Sequence, residues 1–312
     1  MSGNNPLVSI CCLSYNHGKF IEEAIRSFWE QDYKNIEILA LDDGSKDNSL
    51  EVLNKLKEQS PCPMEVFGQE NSGNIPKNFN FLIRKAKGKY ITIIALDDML
   101  LKDSVSSKIE MMEKDDNMQF VINTKALNYF YDIKKTEEQV LNIDKLENIT
   151  AQDILDEDFY NIHSYYLQGS VYRKSILEKI NYFDEDMIAD DLILRTKTAK
   201  YILEHTELNF GVLRTSAVKY RRHSSNISKN IALQLKSAAQ FYQRYYPNKK
   251  RIKPTKNAYR TLLKQHNFKQ AWELYKEFSI YRDYTLLIPL WLLGIFLKDI
   301  LIFFKLAKSK YN

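Results

Sequence analysis

The sequence predicts an α/β fold, with a mixed, mainly parallel sheet flanked by helices and a helical extension at the C-terminal end. Three observations predict it. Up to about Lys125, short apolar runs alternate with helical patterns, which favours βαβ units. The apolar runs lack polar alternation, as is typical of strands buried on both faces. After Tyr220 the chain becomes helical, basic and rich in tyrosine.

The predicted elements follow from these patterns in chain order. The first strand is Leu7–Leu13, and the next helix has apolar residues at helical spacing. The other predicted elements of this half are strands at Ile36–Leu41, Met64–Phe67 and Tyr90–Leu96, and helices at Lys19–Glu30, Ser49–Lys57 and Ile75–Lys87. Later elements are a strand near Phe120–Asn123 and helices at Asn230–Tyr246 and Ala258–Phe278. We expect a domain over residues 1–228, with halves at about 6–125 and 126–228, and a helical region over 229–312.

Composition excludes some classes of protein. The 45 Lys and Arg residues against 40 Asp and Glu give a net charge of +5, too small an excess for a dedicated nucleic-acid binder. Cys11, Cys12 and Cys62 show no metal-ligand spacing, so we interpret them as core thiols in a reducing cytosol. The first residues contain no basic stretch followed by a long apolar core, so we expect no signal peptide.

Two acidic pairs stand where predicted strands end. Asp42-Asp43 ends the second strand, and Asp97-Asp98 follows the strand Tyr90–Leu96. Ligands of open parallel sheets bind at the carboxyl ends of the strands. A carboxylate there can accept a base N–H, and a pair of them can hold a hard divalent cation. Each pair alone has a simpler explanation: Asp42-Asp43 could form a turn with Gly44, and Asp97-Asp98 could cap a helix near Ser104. The presence of both pairs on strands of one sheet favours a binding site.

Three longer motifs carry a family resemblance. They are VSICCLSYNHGKFIEEAIRSFWEQDYKNIEILALDDGSKDNS, ENSGNIPKNFNFLIRKAKGKYITIIALDD and YFDEDMIADD, and the resemblance covers roughly residues 6–225. The chain resembles family 2 glycosyltransferases with the GT-A fold, which is Rossmann-like. The resemblance implies an inverting transferase that uses a nucleotide-sugar donor and a divalent cation, Mn²⁺ or Mg²⁺.

The resemblance also implies roles at the donor side. Tyr15 matches the aromatic residue that stacks on uracil, Asp43 matches the acceptor of the uracil N3–H, and Asp42 orders the turn. The remaining matches are Gly73 and Lys77 at the donor phosphates, Asp97 at the donor sugar or ribose, and Asp98 and His223 as metal ligands. The family pattern D-x-D-D is incomplete here, because Ala95 replaces its first acid.

The catalytic base depends on the register of FDEDMIADDLILRTK. If YFDEDMIADD aligns with the family's F-D-E-D-x-x-x-E-D, Asp191 is the general base and Asp190 stands beside it, with Lys197 six residues later. If Arg195 sets the alignment, Ala189 takes the base position and no catalyst remains there. We prefer the first register because it preserves the chemistry. The two acids could also simply begin a helix, where they favour the dipole.

Several further residues match more loosely. Arg221 and Arg222 could bind a diphosphate, because Arg forms two-point contacts with phosphate oxygens. Gln168, Gly169 and Ser170 lie where family members line the acceptor pocket, with His163 nearby. A lone histidine such as His223 is also often structural.

The most apolar segment is Tyr284–Phe304, interrupted by Pro289 and Gly294. Its uninterrupted part is shorter than the roughly 20 residues of a spanning helix. With cations on both flanks, it fits a helix lying in the membrane interface. The alternatives are a single span and packing onto the catalytic domain or onto a second subunit, as in a homodimer.

The resemblance therefore implies transfer from UDP-Gal, UDP-Glc or UDP-GlcNAc to a hydroxyl of a polyprenyl-diphosphate-linked saccharide, with a β-linkage formed. The implied setting is the synthesis of bacterial lipopolysaccharide O-antigen or capsule, at the cytoplasmic face of the membrane. A sugar-1-phosphate nucleotidyltransferase would need a glycine-rich loop after the first strand, whereas CCLSYNHGKF has a single glycine. A processive polysaccharide synthase would need an Arg-Trp pair, which the chain lacks. The other alternative is a catalytically inactive nucleotide-sugar-binding partner of an assembly complex, which only Ala95 supports.

Overall fold

A nine-stranded mixed sheet organises the first of two compact units, Met1–Asn226 and Ile227–Asn312. The computed structural model describes residues 5–188, 191–224, 226 and 230–247. Eight strands follow the order β3-β2-β1-β4-β8-β6-β9-β5, and β7 pairs with β6 as a hairpin. The strands are β1 Val8–Ser14, β2 Ile36–Asp42, β3 Met64–Gly68, β4 Tyr90–Ala95, β5 Met99–Leu100, β6 Met118–Phe130, β7 Lys135–Val140, β8 Tyr166–Arg173 and β9 Asn209–Arg222.

The N-terminal half of the sheet is parallel, because β2 and β4 both pair in parallel with β1, and β3 with β2. β8 enters antiparallel between β4 and β6, and β9 lies parallel to β6 and antiparallel to β5. Every residue of β1 and β2 is buried, which explains their continuous apolar runs. The predicted fold class is confirmed.

Eight α-helices are described. They are α1 Ile21–Trp29, α2 Ser49–Gln59, α3 Ile75–Lys85, α4 Ser106–Lys114, α5 Ala151–Asn161, α6 Lys174–Lys179, α7 Asp191–Glu204 and α8 Ile231–Tyr245. The predicted elements before Lys125 agree with these bounds to within a few residues. The main difference is β6, which runs well beyond Asn123 because its polar second half pairs with β7.

In the second unit, α8 begins at the cap Asn230, whose side chain accepts the N–H of Leu233. The predicted helix at Ala258–Phe278 and the apolar segment Tyr284–Phe304 lie outside the described residues. Within the described part, no helix has both the length and the apolar character needed to cross a membrane.

Candidate functional site

Asp42 and Asp43 stand at the carboxyl end of β2 and have different hydrogen-bond partners. Asp42 accepts the backbone N–H and the hydroxyl of Ser45, at 2.9 and 2.6 Å, so it orders the turn. That turn needs Gly44, which has φ +71° and whose added Cβ would lie 2.4 Å from the Asn71 nitrogen. Asp43 is buried and accepts hydrogen bonds at both of its oxygens, so it faces the chain beyond β3.

The partners of Asp43 belong to the loop before α3. Its Oδ1 accepts the Gln69 amide at 2.6 Å and the Ser72 N–H at 2.9 Å, and its Oδ2 accepts the Gly73 N–H at 3.2 Å. Burial works against its ionisation, but these hydrogen bonds outweigh burial and lower the pKa of Asp43. The carboxylate is therefore ionised at neutral pH and accepts hydrogen bonds only.

The neighbouring residues leave this end of the sheet open to a ligand. The Tyr15 side chain, directly after β1, is 43% exposed. Gly73 has φ +60°, and Asn74 caps α3 by accepting the Lys77 N–H at 2.9 Å. Exposed Lys77 thus stands in the first turn of α3, where backbone N–H groups and a cation favour an anion.

Asp98 follows β4 and is fully buried. Its Oδ1 accepts the backbone N–H of Arg221, on β9, at 2.6 Å. Its Oδ2 has no hydrogen-bond partner among the described residues. Burial, and then the charge of Asp97, raise the pKa of Asp98 well above its usual range. A buried carboxylate oxygen without a partner is costly, and a bound cation would remove that cost.

Asp97 lies between two imidazoles. His223 Nε2, just after β9, is 3.1 Å from Asp97 Oδ2, and the Asn226 amide donates to the same oxygen at 3.3 Å. His17, in the segment that follows β1, has its Nε2 3.8 Å from the same oxygen. The structure thus brings His223 to Asp97 rather than to Asp98. His17 was not predicted from the sequence, although its place just after the central strand β1 was a usable signal.

These residues fit a divalent cation in one respect. Two neighbouring carboxylates, one with an orphaned oxygen, are a donor set that Mg²⁺ or Mn²⁺ accepts when phosphates and water complete the shell. Within the described ranges, however, no three His, Cys, Asp or Glu side chains are arranged to hold a metal by themselves.

The predicted base, Asp191, begins α7 and is held by a buried arginine. Arg195 Nη1 donates to Asp191 Oδ2 at 2.9 Å, and Arg195 Nε donates to Asp158 Oδ2 at 3.0 Å. Asp158 and Arg195 are completely buried, whereas 44% of the Asp191 side chain is exposed. Burial opposes ionisation of Asp191, but the charge of Arg195 outweighs it and lowers the pKa of Asp191. Asp191 is therefore ionised, rigidly placed and accessible.

The structure leaves the register of the base open. Asp190 and Ala189 lie outside the described residues. Lys197 forms an ion pair with Asp184 at 2.7 Å and so supports the preceding loop. The Asp191–Arg195 ion pair spans one helical turn and helps to neutralise the buried guanidinium of Arg195. It does so whichever register of the family motif is correct.

Two weaker predictions need correction. The Arg221 guanidinium is completely buried, donates to Glu23 at 2.7 Å and stacks over the Phe20 ring, so it is not presented to a diphosphate. Ser170 is also buried and donates to the Tyr166 carbonyl within β8, so it does not line a pocket. Arg221 alternates with Tyr220 and Arg222, which are partly exposed on the other face of β9. The immediate neighbours of Ser170 are buried as well.

The other loosely matched residues are placed differently. The Gln168 carbonyl accepts the Ala95 N–H at 3.1 Å, which ties β8 to the end of β4 beside the acids. Gly169 has φ +80°, and an added Cβ would lie 3.2 Å from that of Ala217, so it serves a close approach to β9. Arg222 is half-buried and stacks over Tyr220, and His163 packs edge-on against Tyr166.

Comparison with known proteins identifies the chain's relatives. The family model described as glycosyl transferase family 2 matches residues 9–181, more than half of the chain. The glycosyltransferase GlyG of Streptococcus pneumoniae is 36% identical over 36% of this chain and 37% of its own length. An uncharacterized glycosyltransferase of Rickettsia bellii is 29% identical over 73% of this chain and 31% of its own. The chain spans about a third of the length of these curated relatives.

Solved structures share the fold at low sequence identity. TarS of S. aureus, residues 1–349 in complex with UDP-GlcNAc, superposes with a TM-score of 0.56 at 16% identity, covering 88% of this chain and 73% of that one. The mannosyltransferase PcManGT from Pyrobaculum calidifontis, in complex with GDP-Man and Mn²⁺, also has a TM-score of 0.56, at 15% identity and covering 88% and 76%. At such identities the similarity establishes the fold alone.

Proposed function

Because the chain belongs to glycosyl transferase family 2, we propose that it is an inverting enzyme that moves a sugar from a UDP-sugar to an acceptor hydroxyl. One observation carries this proposal. Asp43 and the pair Asp97-Asp98 meet at the carboxyl ends of β2 and β4, which flank β1 in one parallel sheet. That edge of a parallel sheet is where ligands bind.

The donor side follows from the chemistry of Asp43. An ionised carboxylate can only accept, so it selects a base with an N–H at its pairing edge, as uracil has. The exposed ring of Tyr15 is available to stack on that base. The N-terminus of α3, with Gly73 and Lys77, is suited to the phosphates.

The acceptor side rests on Asp191. As an ionised, half-exposed carboxylate, it takes the hydroxyl proton while the acceptor oxygen attacks the anomeric carbon from the face opposite the nucleotide. Burial raises the pKa of Tyr220, and the charges of Asp98, Asp97 and Asp191 add to that rise. An α-linked donor then yields a β-linked product.

A divalent cation completes the proposal. Asp98, through its orphaned Oδ2, and Asp97 beside it would hold Mn²⁺ or Mg²⁺. When bound, such a cation offsets the negative charge that develops on the departing diphosphate.

We further propose a polyprenyl-diphosphate-linked saccharide as acceptor and UDP-Gal, UDP-Glc or UDP-GlcNAc as donor, in the synthesis of O-antigen or capsule. The support is the family resemblance of the motifs and the apolar, cation-flanked segment Tyr284–Phe304, which would lie in the inner face of the cell membrane.

The test is a coupled measurement of UDP release with synthetic lipid-diphosphate sugars and each donor in turn. We expect release that depends on acceptor, is abolished by EDTA and is restored by Mn²⁺ or Mg²⁺. Asp98→Ala should reduce turnover by about 100-fold or more, as loss of a major electrostatic group does. Full turnover in excess EDTA would contradict the cation, and UDP binding without turnover on every acceptor would indicate the inactive binding partner instead.

A further inference from the structure

Arg222 is a cation that has no ion-pair partner among the residues that the structure describes. Its Nε donates to Asn128 Oδ1 at 2.9 Å and its Nη2 to Gln139 Oε1 at 3.5 Å, both neutral amides. Its guanidinium carbon lies 4.3 Å from the centre of the Tyr220 ring. Every other arginine between residues 5 and 226 has a carboxylate within 4.0 Å, whereas Arg222 has none among the described residues.

These contacts fix the guanidinium without neutralising it. Asn128 stands opposite Tyr220 in the β6–β9 ladder, and Gln139 is bonded to Asn128 across the β6–β7 hairpin at 2.7 Å. Two strands therefore hold Arg222 in one orientation and leave part of its donor edge free. A preorganised guanidinium of this kind is suited to a planar or tetrahedral oxyanion.

Tyr166 adds a second donor without a partner. Only 4% of this residue is exposed, and its hydroxyl makes no hydrogen bond within the described part of the chain. Buried hydroxyls are nearly always bonded, so this one needs a partner that the described residues do not supply. Burial raises the pKa of Tyr166, and the charge of the Arg222 guanidinium opposes that rise.

The same place lies on the side of Asp191. His163 packs edge-on against Tyr166, with ring centres 4.9 Å apart. Burial, then the charge of Arg195, and also that of Arg222, lower the pKa of His163 to about 4, so its imidazole is neutral at pH 7. Arg195 is already shared by Asp158 and Asp191. Arg222 is thus the cation left to attract an anion here.

We propose that Arg222 and the Tyr166 hydroxyl form a subsite for an anionic group of the acceptor, a phosphate or diphosphate ester. This inference rests on the proposed function and names the chemistry of its acceptor. The donor diphosphate is the other source of such an anion. We assign the acceptor because Arg195, which holds Asp191, also donates to the carbonyls of Ile162 and Tyr165, on either side of His163 and next to Tyr166. The donor phosphates, in the proposed function, are served by Lys77 and the N-terminus of α3.

The experiment measures phenyl phosphate binding to the full-length protein by ligand-observed NMR, with UDP and Mn²⁺ at saturation so that the donor site is filled. Benzyl alcohol is the neutral match. We expect the wild type to bind phenyl phosphate and not benzyl alcohol. Arg222→Gln should weaken phenyl phosphate at least tenfold and leave UDP affinity within twofold. Lys219→Gln, which removes the same charge from the same strand, should leave phenyl phosphate affinity within twofold.

Tyr166→Phe gives a readout that a structural role would not move. It should weaken phenyl phosphate at least threefold without lowering the unfolding temperature, because it removes an unsatisfied buried hydroxyl and no contact within the chain. Phenyl phosphate that binds only when UDP is absent would assign the anion to the donor site and overturn the proposal. So would binding that Arg222→Gln does not change, or UDP binding with no phenyl phosphate binding. A protein that fails to bind UDP with Mn²⁺ would overturn the proposed function as well.

Discussion

At the scale of single residues, Arg195 governs what Asp191 can do. The buried guanidinium lowers the pKa of Asp191, so this carboxylate is ionised and fixed but is a weaker base than a free one. If Asp191 is the proposed base, proton transfer to it becomes favourable only as the acceptor oxygen attacks and its hydroxyl becomes acidic. The Asp158–Arg195–Asp191 contacts thus favour a base that acts late in the reaction.

We expect Asp191→Asn to reduce turnover by about 100-fold or more while UDP affinity stays nearly unchanged, because the amide cannot take a proton. The measurement is kcat with saturating donor, together with the Kd of UDP. Asp190→Asn is the matched control, since it removes one neighbouring charge. If Asp190→Asn is the crippled variant and Asp191→Asn is active, the register of the base is wrong by one residue.

Lys108, inside α4, is a buried ammonium with one hydrogen bond, to the Ser104 carbonyl at 2.5 Å. Burial lowers the pKa of Lys108 to about 7 from its ordinary 10.5. Between these values the unfolded chain binds the proton that the folded chain has lost, so the stability of the fold rises with pH. Below pH 7 both states are protonated and the full cost of the buried charge applies.

Lys108→Met should therefore raise the free energy of unfolding by about 1–4 kcal/mol at pH 6 to 7, and the gain should shrink as the pH rises towards 10. The measurement is urea unfolding of both proteins across that range. Lys114→Met, an exposed change in the same helix, should give no such trend. A gain that grows with pH would contradict the assignment.

At the scale of elements, Asn80 joins α3 to the loop that leads to α7. Its amide donates to the Phe183 carbonyl and its oxygen accepts the Phe183 N–H, both at 2.9 Å, as a paired strand would. The amide also donates to Glu185 at 2.9 Å. Helix α3, whose first turn is proposed to bind the donor phosphates, thus also fixes the segment that precedes α7.

Asn80→Ala should cost about 2–4 kcal/mol of stability, because it leaves a buried backbone N–H and C=O without partners. Asn35→Ala, which removes an exposed hydrogen bond to the Asn5 carbonyl, should change stability by less than about 0.5 kcal/mol. Denaturant midpoints of both variants test this. Equal costs would show that burial does not set the value of these bonds.

The parallel half of the sheet was predictable, because buried strands and amphipathic helices leave local patterns that a sequence displays. The acids at the ends of β2 and β4 were found for the same reason. His17 and Asn226 were missed, since their contacts with Asp97 depend on which strands become neighbours. Arg221 was expected to be able to bind a diphosphate, but its side chain is buried and pairs with Glu23. Strand alternation gives two faces, and the sequence alone does not tell which face is inward.

At the scale of the whole molecule, the segment Tyr284–Phe304 carries the proposal of membrane contact. A protein truncated after Arg282 should remain folded, because the unit Met1–Asn226 has its own apolar core. It should sediment less with anionic vesicles, since apolar burial and cation attraction are both lost. Activity on a short water-soluble acceptor should survive, while activity on a long-chain lipid acceptor should fall.

Co-sedimentation of both proteins with anionic and neutral vesicles, at low and high salt, is the measurement. Equal partitioning of the two proteins would contradict membrane contact through this segment. Aggregation of the shorter protein would indicate instead that the segment covers an apolar surface.

The hydrogen bond from the Arg221 backbone N–H to Asp98 joins two residues that are synthesised at very different times. The four parallel strands β1 to β4 are complete once residue 95 has emerged, and an N-terminal region generally folds first during synthesis. His223 and the Arg221 N–H reach the acidic pair only when β9 is in place, more than a hundred residues later. A nascent chain therefore carries the edge formed by β1 to β4 without the contacts that β9 adds to the acidic pair. If the proposed transfer needs those contacts, a growing chain acquires its activity only after β9 has joined the sheet.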